Sequence, residues 1–74
     1  MSSRLPVISG RDLVRVLSKL GFQLDRQRGS HMMLFRPDPP MTISVPDHKE
    51  LDRGTLRAIL RQAGISPDDL QRLL

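Results

Sequence analysis

Residues 31–46, HMMLFRPDPPMTISVP, decide the fold, because two strands and the turn between them can be recognised there. From His31 to Arg36 the chain is mostly apolar, which suits a strand with at least one well-buried face. The sequence PDPP then predicts a turn, since proline cannot donate to the hydrogen-bond ladder of a sheet. Apolar and hydroxyl side chains alternate from Met41 to Val45, which is typical of a half-buried strand. The stretch therefore predicts two consecutive strands.

Upstream of these strands, the sequence predicts a helix, a short strand and a turn. Ser9 lies three residues before Asp12, close to the pattern of a capping box, and apolar residues then recur at helical spacing. Gly21 is expected to end the helix in the left-handed conformation. Apolar and polar residues alternate over residues 22–25 and predict a short strand, and RQRGS at 26–30 predicts a turn.

Downstream, the sequence predicts two helices. Asp52 is the expected N-cap of the second helix, which carries an apolar stripe and ends at Gly64. A short third helix is expected where Ser66 caps, Pro67 takes the first position and Asp69 completes a capping box.

This order of elements predicts an α+β fold, αβββα with a short C-terminal helix. Three sequential strands joined by short turns form an antiparallel meander, and both main helices should cover one face of it. The other face stays open to solvent or to a partner.

Length and composition restrict the class of protein. We expect one domain, 1–74, with little room for an internal pocket, so function should lie on the surface. The chain has no cysteine, no apolar signal segment and no run long enough to span a bilayer, which predicts a cytoplasmic protein without a membrane partner. Twelve Lys+Arg against eight Asp+Glu give a net charge of +4, which points to nucleic acid. Only Phe22 and Phe35 are aromatic, which argues against a platform that stacks single-stranded bases on rings.

His31 is the main candidate for chemistry. The turn at Gly29 and Ser30 would leave its imidazole exposed at the first position of a strand. Neighbouring arginines could bring a phosphate to it: Arg26, Arg28 and Arg36. An imidazole can take a proton from a ribose 2′-hydroxyl or return one to a leaving 5′-oxygen. The alternative is a partly buried histidine whose ring is satisfied by a backbone carbonyl.

A second basic group surrounds the start of the second helix. Lys49 and His48 precede this start, where free N–H groups and the helix dipole attract phosphate. Three arginines follow at intervals of four residues and form one stripe: Arg53, Arg57 and Arg61. The alternatives are an ordinary solvated face for the stripe and, for His48, either a second proton carrier or a turn residue.

The acidic residues give only a weak signal for a metal. Asp47, Glu50 and Asp52 lie close together in sequence, but such a loop cluster is common without a metal. The two histidines match no recurrent ligand spacing. We therefore predict no metal and no cofactor.

Two long stretches resemble the HicA toxin family of bacterial and archaeal type II toxin–antitoxin modules: GRDLVRVLSKLGFQLDRQRGSHMMLFRP at 10–37 and ISVPDHKELDRGTLRAILRQAGIS at 43–66. The resemblance implies a fold like that of double-stranded-RNA-binding domains. It also implies metal-independent cleavage of mRNA, with the histidine of the GSH turn, here His31, as the catalytic residue. The implied partner is a HicB-type antitoxin that covers the active face.

Three hypotheses follow from these observations. The leading one is an endoribonuclease toxin in which His31 is the general acid or base for attack by the ribose 2′-hydroxyl. The residues expected to bind RNA are Arg26, Arg28, Ser30, Arg36, Lys49, Arg53 and Arg57. The second is a non-catalytic RNA-binding module, and the third is a subunit that binds only another protein. Salt dependence separates the last two, because binding to a polyanion weakens steeply with salt.

Overall fold

The computed structural model describes residues 4–74, so the first three residues of the predicted domain lie outside the described part. The elements, in chain order, are α1 Gly10–Ser18, β1 Gln23–Arg28, β2 His31–Pro37, β3 Pro40–Pro46, α2 Arg53–Ala63 and α3 Pro67–Leu73. The strands form one antiparallel sheet in the order β1-β2-β3. The predicted α+β class and the predicted meander are confirmed. No helix within residues 4–74 has the length and apolarity needed to cross a membrane.

The core lies between one face of the sheet and the helices. Alternate residues of β2 and β3 are buried there: Met32, Leu34, Ile43 and Val45. They join the apolar stripes of α1 and α2 in one cluster, which includes Leu13, Val16, Leu17, Leu56, Ile59 and Leu60. Burial of this kind stabilises a fold by about 25 cal/mol per Å² of apolar surface. Both helices therefore cover the same face, as predicted, and the opposite face of the sheet stays open.

The predicted turn at 26–30 is wrong, because β1 continues to Arg28 and the turn consists of Gly29 and Ser30 alone. Gly29 has φ +60°, and within residues 4–74 every residue with a positive φ is a glycine. A two-residue hairpin loop with glycine first is the pattern of a type II′ turn. All six residues of β1 are exposed, including Leu24 at 52%. A strand with no buried face lacks the alternation from which its length could be predicted.

The start of α1 has half of the expected capping box. The hydroxyl of Ser9 accepts a hydrogen bond from the backbone N–H of Asp12 at 3.0 Å. The Asp12 carboxylate, however, accepts a hydrogen bond from Arg15 at 2.5 Å instead of from the cap. Gly21 adopts φ +94° just after the helix, as its predicted role in ending the helix requires.

The caps of the other two helices agree with the sequence. Asp52 is the N-cap of α2 and accepts from the backbone N–H of Thr55, and Gly64 ends that helix with φ +76°. Ser66 and Asp69 form the complete capping box of α3.

The first turn of α1 packs directly against the end of β3. The backbone N–H of Gly10 donates to the carbonyl of His48 at 2.9 Å. A Cβ atom on Gly10 would lie 1.9 Å from the carbonyl oxygen of Pro46, so only glycine fits this approach. Pro46 is the cross-strand partner of His31. This junction therefore helps to fix the end of the sheet that carries the candidate histidine.

Candidate functional site

The site is built on the open face of the sheet, which we define by the outward-pointing residues of the three strands. They fall into three rows, with one residue from each strand: Arg28, His31 and Pro46; Arg26, Met33 and Ser44; Gln23, Phe35 and Thr42. A bulge between Leu24 and Arg26 shifts the register of β1 by one residue. Because of this shift, Arg26 and Gln23 both point to the open face, while Leu24 points to the other.

His31 is exposed at the start of β2. No group in residues 4–74 forms a hydrogen bond with its imidazole. The ring lines a shallow depression of about 480 Å³ together with Arg28, Met33 and Ser44. This position disagrees with the alternative of a partly buried histidine satisfied by a backbone carbonyl. The imidazole is therefore accessible to a ligand in the depression.

Arg28 supplies the positive charge nearest to His31 across the hairpin. The two residues are directly opposite in the ladder, where Cβ atoms are typically about 4.5–5.5 Å apart. Within the described part of the chain, the Arg28 guanidinium has no hydrogen-bond or ion-pair partner. Arg26, one row away, lies 3.7 Å from the carboxylate of Asp25, and both side chains are exposed. Such a surface pair is weak, so it leaves Arg26 able to bind an anion.

Ser30 connects the hairpin turn to the loop that follows β3. Its carbonyl accepts a hydrogen bond from the backbone N–H of Asp47 at 2.6 Å. This loop lines a second cavity, of about 390 Å³, whose lining includes His48 and Lys49. His48 and Lys49 are thus at the same end of the sheet as His31, but in a different cavity.

The Asp47 carboxylate accepts hydrogen bonds from two side chains that lie far from it in the sequence, Arg11 and Gln27. Arg11 donates to its two carboxylate oxygens at 3.1 and 3.2 Å, and Gln27 adds a third hydrogen bond at 3.1 Å. The hydrogen bonds from Arg11 are the main cause that lowers the pKa of the Asp47 carboxyl. Asp47 is therefore a structural anchor between α1, β1 and the loop.

The carboxylate of Asp52, a second acidic residue of this loop, also accepts a hydrogen bond within the fold. Its hydrogen bonds to Thr55 at the start of α2 lower the pKa of its carboxyl. Among residues 4–74, no group of three histidine or acidic side chains is placed to hold a metal ion.

Arg36 is not brought to His31. The two residues are five positions apart on β2, an odd spacing that puts them on opposite faces. The Arg36 guanidinium lies 4.7 Å from the centre of the Phe22 ring, and its Nε donates to the carbonyl of Pro39 at 3.1 Å. Arg36 thus packs over the edge of the core at the far end of β2.

The arginine stripe of α2 lies on the helical side of the molecule. Arg53, Arg57 and Arg61 are exposed, and none of them has an ion-pair partner among the described residues. Because α2 packs on the covered face of the sheet, these side chains do not line the depression at His31. They form a separate basic surface that begins close to the loop of Lys49.

Sequence reasoning missed two residues that line the depression, Met33 and Ser44. Met33 could have been found, because it lies two residues after His31 and alternate residues of a strand share a face. The position of Ser44 opposite Met33 depends on the register between β2 and β3, and the turn at Asp38 and Pro39 sets this register.

The geometry defines a small basic α+β domain whose open sheet carries a histidine and an arginine without partners among residues 4–74. The family model described as HicA toxin of bacterial toxin–antitoxin matches residues 10–65, which is more than half of the chain. The chain belongs to the HicA toxin family, and toxins of this family pair with an antitoxin. No curated protein matches the chain closely enough to count as a relative.

Proposed function

We propose that this toxin is an endoribonuclease that cleaves mRNA in the cytoplasm on the open face, with His31 as general acid or base and without a metal. One observation carries the proposal: the exposed imidazole of His31 has no partner among residues 4–74 and lies opposite the equally unpartnered Arg28. The residues proposed to bind RNA are Arg26 and Arg28 on the open face and Ser30 in the hairpin turn. Lys49, Arg53 and Arg57 would bind the RNA backbone beyond the end of the sheet, on the separate basic surface of the loop and α2. Arg36 is left out because it packs on Phe22.

The proposed chemistry is internal transesterification. The ribose 2′-oxygen attacks the adjacent phosphorus, the new O2′–P bond forms, and the P–O5′ bond breaks. The products are a 2′,3′-cyclic phosphate and a 5′-hydroxyl. His31 either takes the proton from the 2′-hydroxyl or gives one to the 5′-oxygen, which is worth about 10²–10⁴-fold in rate, and solvent water carries the other proton. Arg28 would stabilise the charge that develops on the phosphoryl oxygens, since a guanidinium matches a phosphate with two parallel hydrogen bonds.

A non-catalytic RNA-binding module is the second candidate, and one observation favours it. The depression at His31 is otherwise lined by Arg28, Met33 and Ser44. Within the described part of the chain, the lining includes no second histidine and no carboxylate, whereas transesterification needs both a proton acceptor and a proton donor. In this case RNA would bind to the open face and stay intact.

We further propose that a HicB-type antitoxin inhibits the toxin by covering the open face. The site consists of exposed side chains on an open sheet face, so a partner that covers this face would block access to it. Inhibition would then be steric exclusion of RNA. The cationic surface favours an acidic partner, and charge attraction should speed the encounter at low salt.

Growth inhibition on induced expression tests the proposal. The wild-type protein and a His48→Gln variant should both arrest growth, while His31→Gln should not. Glutamine keeps hydrogen-bonding capacity but cannot exchange protons near neutral pH. The His48→Gln protein is the matched control, because His48 is also exposed but lines the other cavity. Growth arrest by a folded His31→Gln protein would remove His31 from the mechanism.

A further inference from the structure

The open face carries an exposed aromatic ring whose position the core does not explain. Phe35 is 42% exposed, whereas Phe22, the other aromatic residue of the chain, is buried at 1%. Phe35 lies on the same strand and the same face as His31, four residues further along β2. At the usual rise of a strand, this spacing is about 13 Å.

Phe35 has a polar residue beside it on each neighbouring strand and an apolar residue next to it on the same face of β2. Its cross-strand partners are Gln23 on β1 and Thr42 on β3. Neither partner's side chain has a hydrogen-bond partner within the described residues. Their amide and hydroxyl groups can donate and accept hydrogen bonds beside the ring. Met33 lies between Phe35 and His31 on the same face.

We propose that Phe35 stacks on a base and thereby makes single-stranded RNA the substrate of this site. The inference rests on the proposed function and adds the class of RNA to it. A base stacked on Phe35 would lie on the same RNA strand as the phosphodiester at His31, a short distance away along β2. Gln23 and Thr42 would contact the edges of that base, and Arg28 and Arg26 would bind the backbone along β1.

The charge and polarity of the face favour single-stranded RNA over a duplex. None of its nine residues is acidic, and its two arginines lie in a row along β1. The nearby carboxylate is that of Asp25 at the bulge, 3.7 Å from Arg26, and it leaves Arg28 beside His31 without an acidic partner among residues 4–74. A cationic track beside an aromatic ring is the arrangement that binds single strands, because every base has a face that can stack. A duplex keeps its bases stacked inside and presents phosphates and 2′-hydroxyls outward. Phosphates pressed against Met33 and Phe35 would lose water without gaining hydrogen bonds.

The low aromatic content of the chain does not oppose this inference, because the face needs only one ring. Its position matters more than the number of rings, since stacking at one base contributes affinity largely independent of sequence. A ring that serves a protein partner instead would leave RNA affinity unchanged when it is removed and would weaken antitoxin binding.

Binding to a labelled single-stranded oligoribonucleotide is the test, carried out in the His31→Gln background so that the RNA stays intact. Phe35→Leu keeps an apolar side chain but removes the ring, and affinity should fall about 5- to 150-fold. Phe35→Trp should bind at least as well as the parent. The chain has no tryptophan, so this residue would be a single fluorophore, which should be quenched by the single strand but not by a duplex of the same sequence.

Leu24→Ala is the matched control, because Leu24 is also an exposed apolar residue of the sheet but points to the opposite face. Its RNA affinity should equal that of the parent. Circular dichroism of each variant checks that the fold is intact.

Cleavage of single-stranded and duplex RNA by proteins with His31 intact separates the two proposals. Preference for the single strand, lost in Phe35→Leu, supports the inference. Cleavage of both RNAs at rates that Phe35→Leu does not change would overturn the inference and leave the proposed function standing. Unchanged RNA affinity together with lost antitoxin affinity would make the ring part of a protein interface. Absence of both RNA binding and cleavage would overturn both proposals.

Discussion

Replacing Gly10 with alanine should place a methyl group against the main chain at the end of β3. The added Cβ would lie 1.9 Å from the carbonyl oxygen of Pro46, whereas ordinary contacts begin at 3.4 Å. The helix and the strand would have to separate by 3.4 − 1.9 = 1.5 Å. The obstacle is a backbone atom, which cannot turn aside as a flexible side chain can.

The magnitude follows from three effects. Overpacking of this kind costs about 1–3 kcal/mol. The hydrogen bond from Gly10 to the His48 carbonyl would weaken, at a cost of about 0.5–1.5 kcal/mol. The higher helix propensity of alanine offsets at most about 1 kcal/mol of these two costs. The expected net loss is about 1–3 kcal/mol in the free energy of unfolding, or roughly 5–20 °C in melting temperature for a domain of this size.

Thermal unfolding followed by circular dichroism measures this loss, with Gly54→Ala as the matched control. Gly54 also lies in the first turn of a helix, but a Cβ there would meet only the side chain of Asp52 at 3.4 Å. That variant should be as stable as the wild type or more stable, by up to about 1 kcal/mol. A Gly10→Ala protein that melts at or above the wild-type temperature would show that α1 can move away from Pro46 at no cost.

Three further predictions concern the metal, the loop anchor and the antitoxin. RNA cleavage should persist in excess EDTA, and activity that is lost there and restored by Mg²⁺ would contradict the metal-free chemistry. The lowered pKa of Asp47 means that its bond to Arg11 contributes stability above the ordinary aspartate pKa, and that this contribution is lost as the pH falls through the lowered value. Arg11→Gln should therefore destabilise the protein in urea at pH 7 but not in strong acid, and an equal loss at both pH values would argue against the ion pair. Antitoxin binding should protect the amides of residues 26–36 from hydrogen exchange, whereas protection confined to residues 13–20 would require an indirect mechanism.

The parts of the fold that the sequence predicts correctly are those with local signals. The ends of α2 follow from Asp52 and Gly64 because a cap is a contact between near neighbours. The strand β2 follows from a mostly apolar run and β3 from the alternation of apolar and hydroxyl side chains, since one face of each strand is buried. The end of β1 could not be predicted in this way, because both of its faces are exposed.

The candidate site is predicted less completely, for reasons of geometry. The hairpin places Arg28 beside His31, but the sequence alone does not reveal that the turn has only two residues. Closeness in sequence groups Arg36 with His31, although their odd spacing indicates opposite faces of the strand. The pairing of Arg11 with Asp47 joins residues 36 positions apart and depends on how α1 packs on the sheet. Contacts of this range need the assembled fold.

Cleavage of a defined RNA by the purified protein tests the central claim most directly. Wild-type protein and His48→Gln should convert the RNA to fragments with 2′,3′-cyclic phosphate and 5′-hydroxyl ends. His31→Gln should bind the same RNA but cleave it at least about 10²-fold more slowly. Cleavage by His31→Gln at the wild-type rate, with the protein freed of contaminating nucleases, would contradict the assignment of His31 as the acid–base group.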